Sequence, residues 1–71
     1  MSSKIVSNMA GTLLEVTVKV GDTVKAGQEV FILESMKMEV PIASSVAGKV
    51  TAILKVKGDF VNEGEPVIEM A

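Results

Sequence analysis

The chain has 71 residues, with seven Lys or Arg against nine Asp or Glu and a net charge of −2. His, Cys, Trp and Tyr are absent, which removes disulfides, thiolate metal sites, the usual general base and the most reactive nucleophile, so an autonomous enzyme is not expected. The mild acidity provides no clustered basic face for nucleic acid, and no run approaches the roughly 18 apolar residues of a membrane helix.

At the N-terminus, Met1-Ser2-Ser3-Lys4 leads into a stretch interrupted by Asn8, Thr12 and Glu15. That is a poor signal peptide, and with the cysteine-free composition it points to a cytoplasmic location. One domain covering 1–71 is expected, near the lower size limit for a self-supporting core. Its stability must come from aliphatic burial, for which a hydrophobic content of 48% is the resource.

Short Val- and Ile-rich stretches, punctuated by Gly-Asp and Ala-Gly pairs, predict strands over 4–8, 12–19, 29–34, 38–42, 49–56 and 66–70. In the second of these, Leu13, Val16 and Val18 face inward at steps of three and then two. Strict alternation would put Leu13 and Val16 on opposite faces, so a β-bulge is predicted near Glu15. Gly21 and Gly58 supply the positive φ of tight turns, and Asp22 and Asp59 bond nearby backbone amides.

Shifting the chain by 37 residues aligns 4–34 with 41–71 without a gap and gives nine identities in 31 pairs. Unrelated sequence gives about two. The sharpest shared element is G-D-x-V-x-x-G, at Gly21–Gly27 and again at Gly58–Gly64. In the second copy Val50 and Ile53 match the inward pattern, but Lys55 stands where Val18 sits, leaving Leu54 and Val56 to compete for the inward face. Two equal all-β halves should pack as two sheets about a pseudo-twofold axis with one shared core.

The centre of the repeat falls between Lys37 and Met38, and Ser35-Met36-Lys37-Met38-Glu39-Val40 is left as the connection. Strand-like residues on both sides place Lys37 at the tip of a hairpin. Met36 and Met38 read either as core filler or as exposed flanks of that tip. Glu34 and Glu39 read as a solvated strand edge. Glu29, Glu63, Glu65 and Glu69 show no metal-ligand grouping, and the glycines belong to turns, because a strand–Gly-loop–helix context for phosphate is missing.

Glu34-Ser35-Met36-Lys37-Met38, at the centre of this repeat, resembles the biotinyl/lipoyl carrier family, whose pattern is Glu, a small residue, then Met-Lys-Met. The resemblance covers essentially the whole chain and looks most like the bacterial single-domain biotin/lipoyl attachment proteins. The gapless repeat leaves no room for the "thumb" insertion of some acetyl-CoA carboxylase carriers. The family implies a flattened barrel of two four-stranded antiparallel sheets, with biotin in amide linkage to the lysine matching Lys37. It also implies Glu34, Ser35, Met36 and Met38 as flanking recognition residues.

On that resemblance the implied partners are a biotin protein ligase and the biotin carboxylase and carboxyltransferase components, with the isolated carrier a monomer. Lysine amines are almost wholly protonated at neutral pH, so the ligase must remove a proton and supply a biotinyl-adenylate. The acylated side chain becomes an arm of roughly 15 Å, from bond lengths near 1.5 Å. Its biotin carries CO2 between two partner sites, while the protein performs neither reaction. Two other readings stay open: a lipoyl carrier, whose lysine usually follows Asp and precedes Ala, and an unmodified β-sandwich interaction module.

Overall fold

Short runs of β-branched residues separated by glycine turns fold into strands throughout, and the computed structural model describes residues 3–71. In chain order they are β1 (Ser3–Val6), β2 (Gly11–Val16), β3 (Thr23–Val24), β4 (Glu29–Ser35), β5 (Met38–Ala43), β6 (Gly48–Ile53), β7 (Phe60–Val61) and β8 (Pro66–Met70). They form two four-stranded antiparallel sheets, ordered β1-β8-β6-β3 and β5-β4-β2-β7. A shift of 37 residues turns one order into the other, so the sequence repeat is a structural pseudo-twofold that exchanges the sheets.

The two halves are interlocked. β1 pairs with β8, β2 with β7, β3 with β6 and β4 with β5, so four ladders join residues from opposite halves. The loops repeat the exchange. Gly27 N–H donates to Ser44 C=O and Gly64 N–H to Ser7 C=O, both at 2.7 Å. Gly21 N–H reaches Val50 C=O, and Gly58 N–H reaches Leu13 C=O, both at 2.8 Å. Neither half can satisfy its own backbone donors, so the domain forms as one unit.

The inner faces meet in one core cluster, with Leu13, Val24, Phe31 and Leu33 from the first half and Val50, Val61, Val67, Ile68 and Met70 from the second. Gly21 and Gly58 adopt φ of 99° and 96°, as their turns demand. The Asp22 and Asp59 carboxylates accept from the N–H groups of Lys19 and Val56 at 2.9 and 3.0 Å. The predicted bulge is present: pairing skips between Leu13 and Glu15, and its repeat mate skips between Val50 and Ala52.

Three expectations need correction. β3 and β7 have two residues each and fall inside the G-D-x-V-x-x-G turns, where no alternation can develop. The strands predicted over 12–19 and 49–56 stop at Val16 and Ile53, because the chain there leaves one sheet for the other. Val18 is nonetheless buried, as its spacing required. In the second half neither Leu54 nor Val56 turns inward; both are exposed.

Lys55 takes the place of Val18 and pairs with Glu65 at 2.7 Å. That bond and the Asn62 N–H hold the Glu65 carboxyl below the ordinary glutamate range, and the bond from Glu65 raises the Lys55 ammonium. The lowered acid stabilises the fold above its unfolded-state pKa, and that contribution fades as pH falls through the lowered value. The raised base contributes below its unfolded-state pKa and loses its share as pH climbs through the raised value. The pair therefore supports the fold between those limits.

Candidate functional site

β4 and β5 are joined by only two residues. Ser35 pairs with Met38, and Met36 and Lys37 form the turn between them, so the six-residue connection expected from the repeat contracts to two. Both turn residues have positive φ, 54° at Met36 and 63° at Lys37, the signature of a type I′ hairpin turn. Its twist matches the right-handed twist of the strands, which accounts for so tight a reversal between long strands.

Type I′ turns favour Asn-Gly, and here both positions carry long side chains. Left-handed backbone at a non-glycine residue costs roughly 1–2 kcal/mol. Met36→Asn, which tolerates that backbone, should therefore raise stability by roughly 0.5–1 kcal/mol, seen as a melting temperature a few degrees higher. An unchanged or lower midpoint would show that the turn stores no strain.

The turn throws its side chains into solvent. Met36 is 93% exposed and Met38 65%, so the core-filler reading of these methionines is wrong. Lys37, Glu34 and Glu39 are exposed and Ser35 is half-buried. Glu34 and Glu39 face each other directly across the hairpin. Like charges so placed repel, and among the described residues the one ion pair is Lys55–Glu65, so neither glutamate is in an ion pair.

The structure thus brings Glu34, Ser35, Met36, Lys37 and Met38 onto one rigid hairpin tip. Rigidity comes from below: Leu33 on β4 is fully buried and pairs with Leu13 and Val40. β2 also lies so close under the hairpin that a Cβ on Gly11 would sit 2.7 Å from the Glu34 carbonyl oxygen. By the pseudo-twofold, the pair Ser3–Met70 at the other end matches the pair Val40–Leu33 below this tip. The molecule is 34 Å long, and among the described residues only one end carries a hairpin.

The site offers one accessible amine between two thioethers, beside two carboxylates. Among the described residues no group of three or more potential ligands could hold a metal ion, and no helix is long and apolar enough to cross a membrane. Chemically the tip can accept an acyl group on Lys37 Nζ. Among the described residues no carbonyl or carboxylate is bonded to this exposed amine, so it stands open to acylation.

Phe60 is a residue that strand patterning does not single out. It stands in β7 at the level of the hairpin and is 57% exposed. The available signal was the mismatch inside the duplicated turn, where the first half has Thr23.

The model of the Biotin_lipoyl family, described as "Biotin-requiring enzyme", matches residues 3–70. The chain is 54% identical over 63 residues to the biotin/lipoyl attachment protein of Bacillus subtilis, covering 89% of this chain and 86% of that protein. It is 49% identical over 63 residues to the biotin carboxyl carrier protein of Streptococcus mutans, where it spans 48% of the relative's length. Among solved structures, the Kluyveromyces lactis urea carboxylase superposes with a TM-score of 0.91 at 34% identity, covering 100% of this chain and 6% of that one.

Proposed function

We propose that this chain, which belongs to the Biotin_lipoyl family, presents Lys37 as the acceptor of covalent biotin. The function is that of a biotin carboxyl carrier, and the domain is not itself catalytic. The observation that carries the residue assignment is the two-residue turn, which holds Lys37 at the outermost point of an otherwise rigid hairpin.

A biotin protein ligase is the partner for attachment. It removes the proton from Lys37 Nζ, whose lone pair then forms the amide with the biotin carboxyl carbon while adenylate leaves with the bond electrons. Bound biotin supplies the carboxyl-carrying group. The chain's own contribution is placement: the strands fix where the arm is rooted, and the apolar flanks of Met36 and Met38 offer no competing nucleophile. Tethering then raises the local concentration of the carried group at each partner site.

The partners in that cycle are biotin carboxylase and carboxyltransferase components, a reading supported by the carboxylases among the chain's relatives and structural neighbours. The isolated carrier is a monomer, and its compartment is the cytoplasm. Lipoate is the competing cargo, because the Bacillus subtilis relative's name includes it.

The experiment is an intact mass before and after treatment with biotin ligase, ATP and biotin, run beside lipoate ligase with lipoate, followed by peptide mapping. One biotinyl group on the peptide containing Lys37 is expected. A chain that takes up no biotin, or takes it on another lysine, sinks this reading.

A further inference from the structure

The two ends of the molecule are related by the pseudo-twofold, so Phe60, Thr12 and Glu34 near the hairpin have a built-in comparison at the opposite end in Thr23, Lys49 and Ala71. Across the outer face beneath the tip, register places Phe60 opposite Thr12, Thr12 opposite Glu34, and Glu34 opposite Glu39. Directly paired residues share a face, so these four form one row across the sheet. At the other end the corresponding row begins with Thr23 opposite Lys49, whose backbone C=O accepts from Ala71 N–H at 2.9 Å. The repeat keeps the backbone and changes the chemistry. Among the described residues, Thr23, Lys49 and Ala71 stand at that end where Phe60, Thr12 and Glu34 stand beneath the hairpin.

Phe60 is costly to leave in water, and the fold does not need it, because the same strand position accepts threonine in the first half. The other phenylalanine, Phe31, is fully buried. Lys37, in the turn, stands about two residue steps beyond the level of Glu34 and roughly two and a half strand spacings across from Phe60, about 7 Å along the strands and about 12 Å across them. Phe60 therefore lies about 14 Å from Lys37. A standard protein interface covers about 800 Å² on each partner, a disc of about 16 Å radius, so a partner centred on the lysine also covers Phe60.

Which partner must come that close follows from reach. A bare lysine side chain extends only about 6 Å from its Cα, so the enzyme that acylates it has to press against the body of the carrier. Once acylated, the arm extends more than twice as far, and later partners can be served at greater stand-off. Resting on the reading of Lys37 as the acceptor, we infer that Phe60 is a recognition residue for the biotin ligase. It anchors in an apolar pocket on a ligase surface whose cationic groups face Glu34 and Glu39. Buried aromatic anchors of this kind dominate interface energetics.

The test is steady-state biotinylation by biotin ligase of Phe60→Thr, the residue the repeat itself carries at this position, with Phe60→Leu as a second variant retaining apolar bulk. Val56→Thr, at a residue 65% exposed and outside the row, is the surface control. For Phe60→Thr, KM for the carrier should rise about 10-fold or more with kcat unchanged. Phe60→Leu should fall between it and the parent, Val56→Thr should match the parent, and all should melt with the parent. A parent labelled on Lys37 alongside an unaltered KM for Phe60→Thr overturns this inference and leaves the acceptor assignment standing. A fall in kcat alone overturns it equally, and a parent that takes no biotin overturns both.

Discussion

Lys37→Arg is expected to abolish biotin attachment, with the six other lysines serving as internal controls. Arginine keeps the charge and most of the length, so the hairpin should be undisturbed, but its guanidinium stays protonated and is no nucleophile. A sharper version keeps a lysine in the turn and moves it: Met36→Lys together with Lys37→Met. The two turn positions have similar φ, 54° and 63°, yet they occupy successive corners of a reversal, so their side chains leave it in different directions. A ligase that aligns an amine against an activated acyl carbon is sensitive to such displacement, since misplacement by about 1 Å can lower a rate about 100-fold. Labelling of the moved lysine should fall by on the order of 10²-fold while the melting temperature stays with that of the parent. Labelling that persists in Lys37→Arg removes the site assignment. Equal labelling at position 36 shows that an exposed lysine in a turn suffices and that the scaffold is incidental.

The repeat makes most of this legible in the sequence. Because side chains in a strand alternate, the three-then-two spacing of Leu13, Val16 and Val18 required a bulge, and the register skips there. Because the gapless repeat centres beside Lys37, a symmetric pair of sheets had to place that lysine at a junction. What stayed hidden obeys rules that act across the chain. β3 and β7 exist only because each finds a partner in the opposite half, and two residues carry no periodicity of their own. The fate of Lys55 depended on Glu65, a loop neighbour ten positions away, and the tightness of the turn on cross-strand pairing of Ser35 with Met38. Phe60 was visible in the sequence as a mismatch with Thr23, but only the register across β7, β2 and β4 connects it to the lysine.

The core should be as decisive for labelling as the tip. Phe31 is the largest of the fully buried side chains, pairing with Val16 on β2 and Ile42 on β5, so it joins the strands that carry the hairpin. Its truncation in Phe31→Ala removes apolar contact and leaves a cavity that paired strands on both sides prevent from closing, at a cost of roughly 3–5 kcal/mol. A domain of this size has a total stability of only about 4–10 kcal/mol, so a third or more of it is lost. The melting temperature should drop by roughly 12–40 °C, whereas Val20→Ala, at a residue 61% exposed, should stay within about 0.5 kcal/mol of the parent. Biotin attachment to Phe31→Ala, measured with ligase across a temperature series, should follow the folded fraction and vanish above the variant's midpoint while the parent is still labelled. Undiminished labelling of the unfolded chain would mean that the ligase reads a linear peptide around Lys37, leaving the interlocked sheets no part in presenting it.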